Sequence, residues 1–237
     1  MSTAAPQRHR VRRTTSRALK LAAMAADLAS KRTAPPEDAV LSLEGDRELE
    51  WTFCQARLVD GPGTTLDFGS DTGLLSVAAA QRGHDVLAFD RLDVPYRVQH
   101  PRVQKMVADI LDRPLGDRNF DQIVNCSSVE HVGLAGRYNS YDRPDGDIDA
   151  MAIMAEHQQP GGRHILTIPV GRDLICAPQH RIYGDERLPR LLAPYSIAEE
   201  QYWHRTRDGW TETDRATALA VEGSASFYAL GLFVLER

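Results

Sequence analysis

The sequence predicts an α/β fold built on a doubly wound, mostly parallel sheet, and three observations carry the prediction. From residue 64 onward, apolar runs of strand length alternate with runs of helix length, the pattern of strands joined by helical crossovers. A glycine turn, Gly69 to Gly73, links the first such strand to an apolar helix, and a second apolar strand ends in Asp90, seventeen positions after Gly73. The chain closes on Ser226-Phe-Tyr-Ala-Leu-Gly-Leu-Phe-Val-Leu235, a long apolar strand.

Taken in order, residues 33–38 contain paired prolines, which cannot continue a helix. Residues 46–58, with Leu49, Trp51, Phe53 and Leu58, form a helix or strand that leads into the core. Strand one is 64–69, a helix covers 73–83, and strand two is 85–90. Strand three is 103–109 and strand four 120–126; a helix follows near 147–158, then the turn 159–162 and strand five, 163–170. Tyr183 either faces a substrate or starts a helix that runs to Leu192, and an irregular polar stretch with Trp203, His204 and Trp210 is expected over 199–214.

Composition narrows the class. At 237 residues, 42% hydrophobic and 26% charged, the chain suits a soluble protein of one large α/β domain, or of one domain with appendages. Cys54, Cys126 and Cys176 are widely spaced and form no Cys-x-x-Cys pair, which points to a reducing, cytoplasmic setting without a disulfide framework. No apolar run approaches the roughly 20 residues that span a bilayer, so no membrane partner is expected. Residues 1–33 carry eight Lys/Arg and one acid, Asp27, whereas the remainder carries 20 basic and 32 acidic residues. Residues 1–33 read as a basic arm with a helix from about 15 to 30 that packs on the acidic domain 34–237. An RNA- or membrane-touching arm and a transit peptide are the alternatives. An acidic body argues against nucleic acid as the substrate, and nothing in the pattern specifies an oligomeric state.

The turn itself describes a cofactor site. Asp67 ends strand one, Gly69 and Gly73 allow close backbone approach, and Asp90 at the tip of strand two is placed to accept hydrogen bonds from a ribose diol. Two acids and two glycines make a poor pyrophosphate site and a suitable one for a cationic sulfonium ligand. On these residues the chain resembles the class I S-adenosylmethionine-dependent methyltransferases, whose first motif runs acid, apolar, Gly, x, Gly, x, Gly. Here the middle glycine is Asp71. The resemblance implies a Rossmann-like sheet whose last strand inserts antiparallel beside strand five, and S-adenosylmethionine as cofactor. It further implies that Asp109-Ile110 hold the adenine and that Asn125-Cys126-Ser127-Ser128 flank the methionine part. Pro160-Gly161-Gly162 matches the family's turn before strand five. The cofactor set is then Asp67, Gly69, Ser70, Asp71, Gly73, Asp90, Arg91, Asp109, Ile110, Cys126 and Ser127.

Chemistry is expected after strands four and five, since open sheets place it at the carboxyl ends of their strands. His131 has the reference pKa, near 6.5, of a general base, and Glu130 could orient it or act itself. His180 is a second base candidate. Arg137, Tyr138, Arg181 and Tyr183 are the candidate contacts to a small-molecule acceptor; the alternative for Arg181 is a pairing with the acidic loop 142–149. Glu130-His131 with Arg137-Tyr138 and His180-Arg181-x-Tyr183 resembles a poorly characterised methyltransferase-like subgroup of bacteria and nematodes. The acids at 142, 145, 147 and 149 could cap a helix, with Asp147 as N-cap, or hold a divalent cation; capping is favoured and no metal ligand is assigned. The leading expectation is O-methylation of a small molecule. The alternatives are a methyltransferase-fold protein that binds without methylating, motivated by Asp71, and a metal-assisted methyltransferase.

Overall fold

A computed structural model describes residues 43–237 apart from 137, 139 and 140; the basic arm 1–33 and its expected helix lie outside the described residues. Helix α1 (Asp46–Arg57) precedes the sheet, with acids in its first turn and Arg57 in its last, the charge order a helix dipole favours. It buries Phe53 and Cys54, and Arg57 pairs with Glu199 across the chain.

The sheet begins with β1 (Gly63–Phe68), α2 (Leu74–Gln81), β2 (His84–Asp90), β3 (Val103–Val107) and β4 (Phe120–Cys126). It continues through α3 (Gly146–Glu156) and β5 (Gln158–Val170). A small hairpin, β6 (Leu174–Cys176) and β7 (His180–Ile182), then α4 (Arg187–Leu192), lead to β8 (Ser196–Thr206) and β9 (Gly209–Thr213). Helix α5 (Arg215–Leu219) and β10 (Ala229–Glu236) complete the chain. The strand order is β3-β2-β1-β4-β5-β10-β8-β9. Strands β1 to β5 are parallel, with Leu66 opposite both Leu87 and Ile123, while β10 runs antiparallel to β5 and to β8. The expected antiparallel insertion of the last strand is therefore observed. The chain runs outward from β1 through β2 to β3 on one side and then crosses to β4 on the other side of β1, so the tips of β1, β2 and β4 surround the switch point where open sheets bind ligands.

Alternate residues of the central strands feed two cores, as a sheet covered on both faces requires. Leu66, Leu87, Phe89, Ile123 and Leu166 pack with α3, and Val86, Val124, Ile165 and Leu232 pack with α1 and α2.

Three expectations change. Residues 159–162 form an excursion inside β5: Gln158 pairs with Phe120 and Arg163 with Gln122. Left-handed Gly161, φ 75°, turns that excursion, and the Gln158 side-chain amide donates to the Gly162 carbonyl at 2.7 Å. The segment 199–214 is a regular hairpin. Its mostly polar side chains hid a structural need, which is that β10 is apolar on both faces and its free edge must be paired. Tyr183 bridges to Val170 as an extended residue, and the helix waits until Arg187, where Asp173 accepts from the N–H groups of Gly184, Glu186 and Arg187. Among the described residues no helix is long and apolar enough to cross a membrane.

Candidate active site

Beyond Phe68 the chain must reverse within five residues, and it does so through left-handed backbone. Gly69, Asp71 and Gly73 have φ of 73°, 43° and 81°. A Cβ on Gly69 would collide with Ser128 Oγ, and one on Gly73 would stand 2.6 Å from the Tyr96 ring, so both positions demand glycine for space as well as torsion. Asp71 supplies the third left-handed position because aspartate tolerates that conformation better than most residues. Its side chain stays exposed. The N–H groups of Gly69 and Ser70 donate to the Phe89 carbonyl at 2.9 and 3.0 Å, and the Asp71 N–H donates to Asp90 Oδ2 at 2.9 Å. The turn is thus clamped onto the end of β2. Tyr96, which sequence reasoning missed, covers it, and its hydroxyl donates to Ser70 Oγ at 2.5 Å.

The three strand-end acids divide their work. Asp67 is buried and accepts from Ser76 Oγ at 2.5 Å. Burial pushes its carboxyl up to about 6 against the opposing pull of that hydrogen bond. It braces the start of α2 and is absent from the cleft wall, which corrects its expected contact with a ligand. Asp90 lies in the wall; beyond its bond from Asp71 it accepts from the Leu92 N–H at 2.9 Å. Each of its oxygens retains a lone pair. Asp109 accepts from the Leu111 N–H at 3.0 Å and pairs with Arg91, whose Nε donates to the Tyr138 carbonyl at 2.8 Å. Arg91 is accordingly a strut that aims Asp109. Ile110 is buried beneath the same wall.

These groups open onto one cleft of about 350 Å³. Toward the tips of β2 and β3 its wall is largely apolar, with Phe89, Leu92, Val94, Ala108 and Ile110 around the charged Asp90, Arg91 and Asp109; toward the tip of β4 it is more polar, with Ser127, Ser128 and His131, and Arg47 and Tyr138 also line it. Ser127, left-handed at φ 45°, donates its hydroxyl to Glu50, and Thr167 Oγ1 donates to the same carboxylate oxygen at 3.0 Å. Burial raises the Glu50 carboxyl above the usual range, against the pull of Arg47 and the two hydroxyls. Cys126 is corrected as a cofactor contact: its thiol packs beside Cys54 and Thr167, and the Cys54 thiol together with burial raises it well above the ordinary thiol range, against the pull of the Thr167 hydroxyl.

The two histidines are not equivalent. The His131 ring lies in the cleft wall with Nδ1 2.5 Å from the Gln179 carbonyl. A carbonyl only accepts, so Nδ1 carries the proton and Nε2 is the basic nitrogen. Glu130 Oε1, on a buried side chain, stands 3.6 Å from Nε2, where it stabilises positive charge arriving on the ring. His180 is buried behind this wall, edge-on to Tyr228 at 5.2 Å and 6.3 Å from His131, and it does not border the cleft. Tyr138 borders it, edge-on to His131 at 5.2 Å; Arg137 lies outside the described residues.

Arg181 and Tyr183 are corrected outright. Arg181 is fully buried; its guanidinium donates to the carbonyls of Val132, Arg143 and Pro144 at 2.6, 3.3 and 3.2 Å and lies 3.6 Å from Asp147. Tyr183 is fully buried and donates to Asp147 Oδ2 at 3.0 Å. Asp147 also receives Arg187 at 2.9 and 2.5 Å. It is the buried hub of a charge network and not the expected N-cap. The pairing of Arg181 with the acidic loop is observed. With Asp145 held by Arg187 and Arg190, these acids are committed to arginines. Among the described residues no three His, Cys, Asp or Glu side chains gather as metal ligands do.

Sequence reasoning also missed Arg47, Glu50 and Trp51. The available signal was a buried-acid position, Glu50, between Leu49 and Phe53 on a helix, with Arg47 and Trp51 four apart on one face.

Residues 68–215 match the family described as "Caenorhabditis protein of unknown function, DUF268". No curated relative matches the sequence. Among solved structures, the chain is similar to the 1,6-didemethyltoxoflavin-N1-methyltransferase of Burkholderia thailandensis, bound to 1,6-didemethyltoxoflavin and S-adenosylhomocysteine. The identity is 17% and the TM-score 0.54, over 99% of this chain and 93% of that one. It is similar to the N-methyltransferase NodS of Bradyrhizobium japonicum in complex with S-adenosylhomocysteine, at 16% identity and TM-score 0.53, over 82% and 88% of the two chains. A TehB-like methyltransferase from Corynebacterium glutamicum matches at 17% identity and TM-score 0.51, over 94% and 99%. These likenesses establish the class I methyltransferase fold.

Proposed function

Because this chain belongs to the DUF268 family and has the class I methyltransferase fold, we propose that it transfers a methyl group from S-adenosylmethionine to an oxygen of a small molecule. The observation that carries the reading is the convergence of the glycine turn, Asp90 and Asp109 on one cleft whose wall is largely apolar toward β2 and β3 and more polar toward β4. The residues suit that cofactor chemically: Asp90 offers lone pairs to a ribose diol, the largely apolar wall suits a purine, and no basic group of the turn itself awaits a pyrophosphate. When bound, S-adenosylmethionine supplies an electrophilic methyl on a sulfonium.

The chain's own contribution is alignment and proton handling. Clamping of the turn to Phe89 and Asp90 fixes the backbone that would meet the cofactor, and fixed geometry is the main source of rate in a direct displacement. His131 Nε2 takes the proton from the attacking hydroxyl as that oxygen becomes nucleophilic. The Gln179 carbonyl holds the ring in the tautomer required, and Glu130 offsets the charge that results.

Calorimetric titration with S-adenosylhomocysteine tests the reading. Binding is expected with a Kd on the order of 10 μM, weakened at least about tenfold in Asp90→Asn, the equivalent of about 1.4 kcal/mol. Absence of binding to the natural chain would sink it.

A further inference from the structure

The acceptor end of the cleft carries a cation that the described fold uses only in part. Arg47 Nη1 donates to Glu50 at 2.8 Å, while its Nε and Nη2 donate to nothing among the described residues, and 45% of the side chain is exposed in the cleft wall. One helical turn on, Trp51 borders the same cleft with 40% of its surface exposed, an unusual position for so large an apolar group. Tyr138 stands in the same wall. The unused Nε–Nη2 edge of a guanidinium is a planar fork with two parallel donors, matched to two oxygens of one acid group. An indole beside it offers a flat apolar surface.

We propose that Arg47 and Trp51 select the methyl acceptor, and that the acceptor is a planar, hydroxyl-bearing molecule with a single carboxylate: the acid is gripped by Arg47 and the ring lies on Trp51. The charge around the site argues for a monoanion. Glu50, Glu130 and Asp46 all lie close enough to act on the Arg47 charge, so a phosphate dianion meets more repulsion than a carboxylate. The identity of the bound molecule as methyl acceptor rests on the methyltransferase reading above; the carboxylate site itself does not.

The test titrates benzoate, benzamide, benzylamine and inorganic phosphate into the full chain, with and without S-adenosylhomocysteine, following ligand NMR signals. Benzoate is expected to bind at least about tenfold more tightly than benzamide, since a charge-assisted pair of hydrogen bonds exceeds neutral ones by that order. Arg47→Gln should erase the preference. Arg47→Lys, which keeps a charge beside Glu50 should Arg47→Gln fail to fold, should reduce it severalfold. Glu50→Gln, which removes the competing negative charge beside the guanidinium, should tighten benzoate, a sign opposite to that of a merely structural residue. Trp51→Ala should weaken benzoate and benzamide alike. Equal binding of benzamide or benzylamine, tighter binding of phosphate, no benzoate binding, or a preference that survives in Arg47→Lys and Arg47→Gln would overturn the inference. Selective benzoate binding without any S-adenosylhomocysteine binding would strike only the methyltransferase reading, and the converse would strike only this one.

Discussion

Replacing Asp67 by asparagine isolates one ionisation from the rest of the protein. In the native chain burial holds this carboxyl at about 6, against an ordinary 3.8. The folded state therefore binds the proton more tightly than the unfolded one, and between those values it carries more protons. Stability must then fall as pH rises through the window, which is the sense of the linkage relation for an acid whose native pKa is raised. The whole difference is worth about 3 kcal/mol, of which about 1.4 kcal/mol is expressed between roughly pH 5 and pH 8. The substituted amide cannot ionise, keeps the shape, and still offers an oxygen to Ser76. Urea unfolding of both proteins at a series of pH values should show the advantage of Asp67→Asn growing by about 1–2 kcal/mol across that range. Titrations not coupled to Asp67 cancel in the comparison, including that of His164, which burial depresses to about 3. A difference that stays flat with pH, or shrinks as pH rises, would refute the claim that Asp67 is ionised at a cost in its buried place.

Gly73→Ala should destabilise the chain by about 2–3 kcal/mol, the sum of left-handed strain and the displacement of Tyr96, and should weaken S-adenosylhomocysteine binding. In a Tyr96→Ala background the additional cost of Gly73→Ala should drop by about half, measured in the same melts. Asp147→Ala should cost about 3–5 kcal/mol, because it strands the buried Arg181 charge; a loss of under about 1 kcal/mol by thermal or urea melting would show that the backbone carbonyls alone satisfy it.

Much of the fold was legible because its elements are local. Residues 120–126, with apolar positions between polar ends, were placed to the residue, and the Gly69–Gly73 turn announced itself by torsional need. The paired, antiparallel place of β10 came through resemblance. What stayed hidden depends on partners distant in sequence. Nothing in Ser-Ile-Ala-Glu-Glu-Gln-Tyr-Trp marks a strand until β10 presents an open edge further along the chain. The site divided in the same way. Asp90, Asp109, Ser127 and His131 border the cleft as read from strand ends, since a strand end fixes its own surroundings. Arg181 and Tyr183 were misread because the sequence shows their polarity and not their burial, and Arg47 and Trp51 were missed because their helix precedes the sheet whose tips they face. Asp71, the departure from the family pattern, takes the left-handed torsion of the turn and borders the cleft with an exposed side chain.

Arg181 has an implication for how this scaffold can change. The segment from 130 to 144 has no strand pairing of its own among the described residues, yet carbonyls from both of its ends meet on one guanidinium rooted in β7. Beside those oxygens, left-handed Gly133, where a Cβ would collide with the Arg143 carbonyl, and buried Leu134 fix the same stretch. Substitutions at exposed positions between those anchors, such as Ala135, can therefore accumulate and re-tailor the acceptor wall around Tyr138 while the sheet is left untouched. One internal rivet holds the wall's ends, and its coupling to the cofactor half runs through the backbone of Tyr138, on which Arg91 leans.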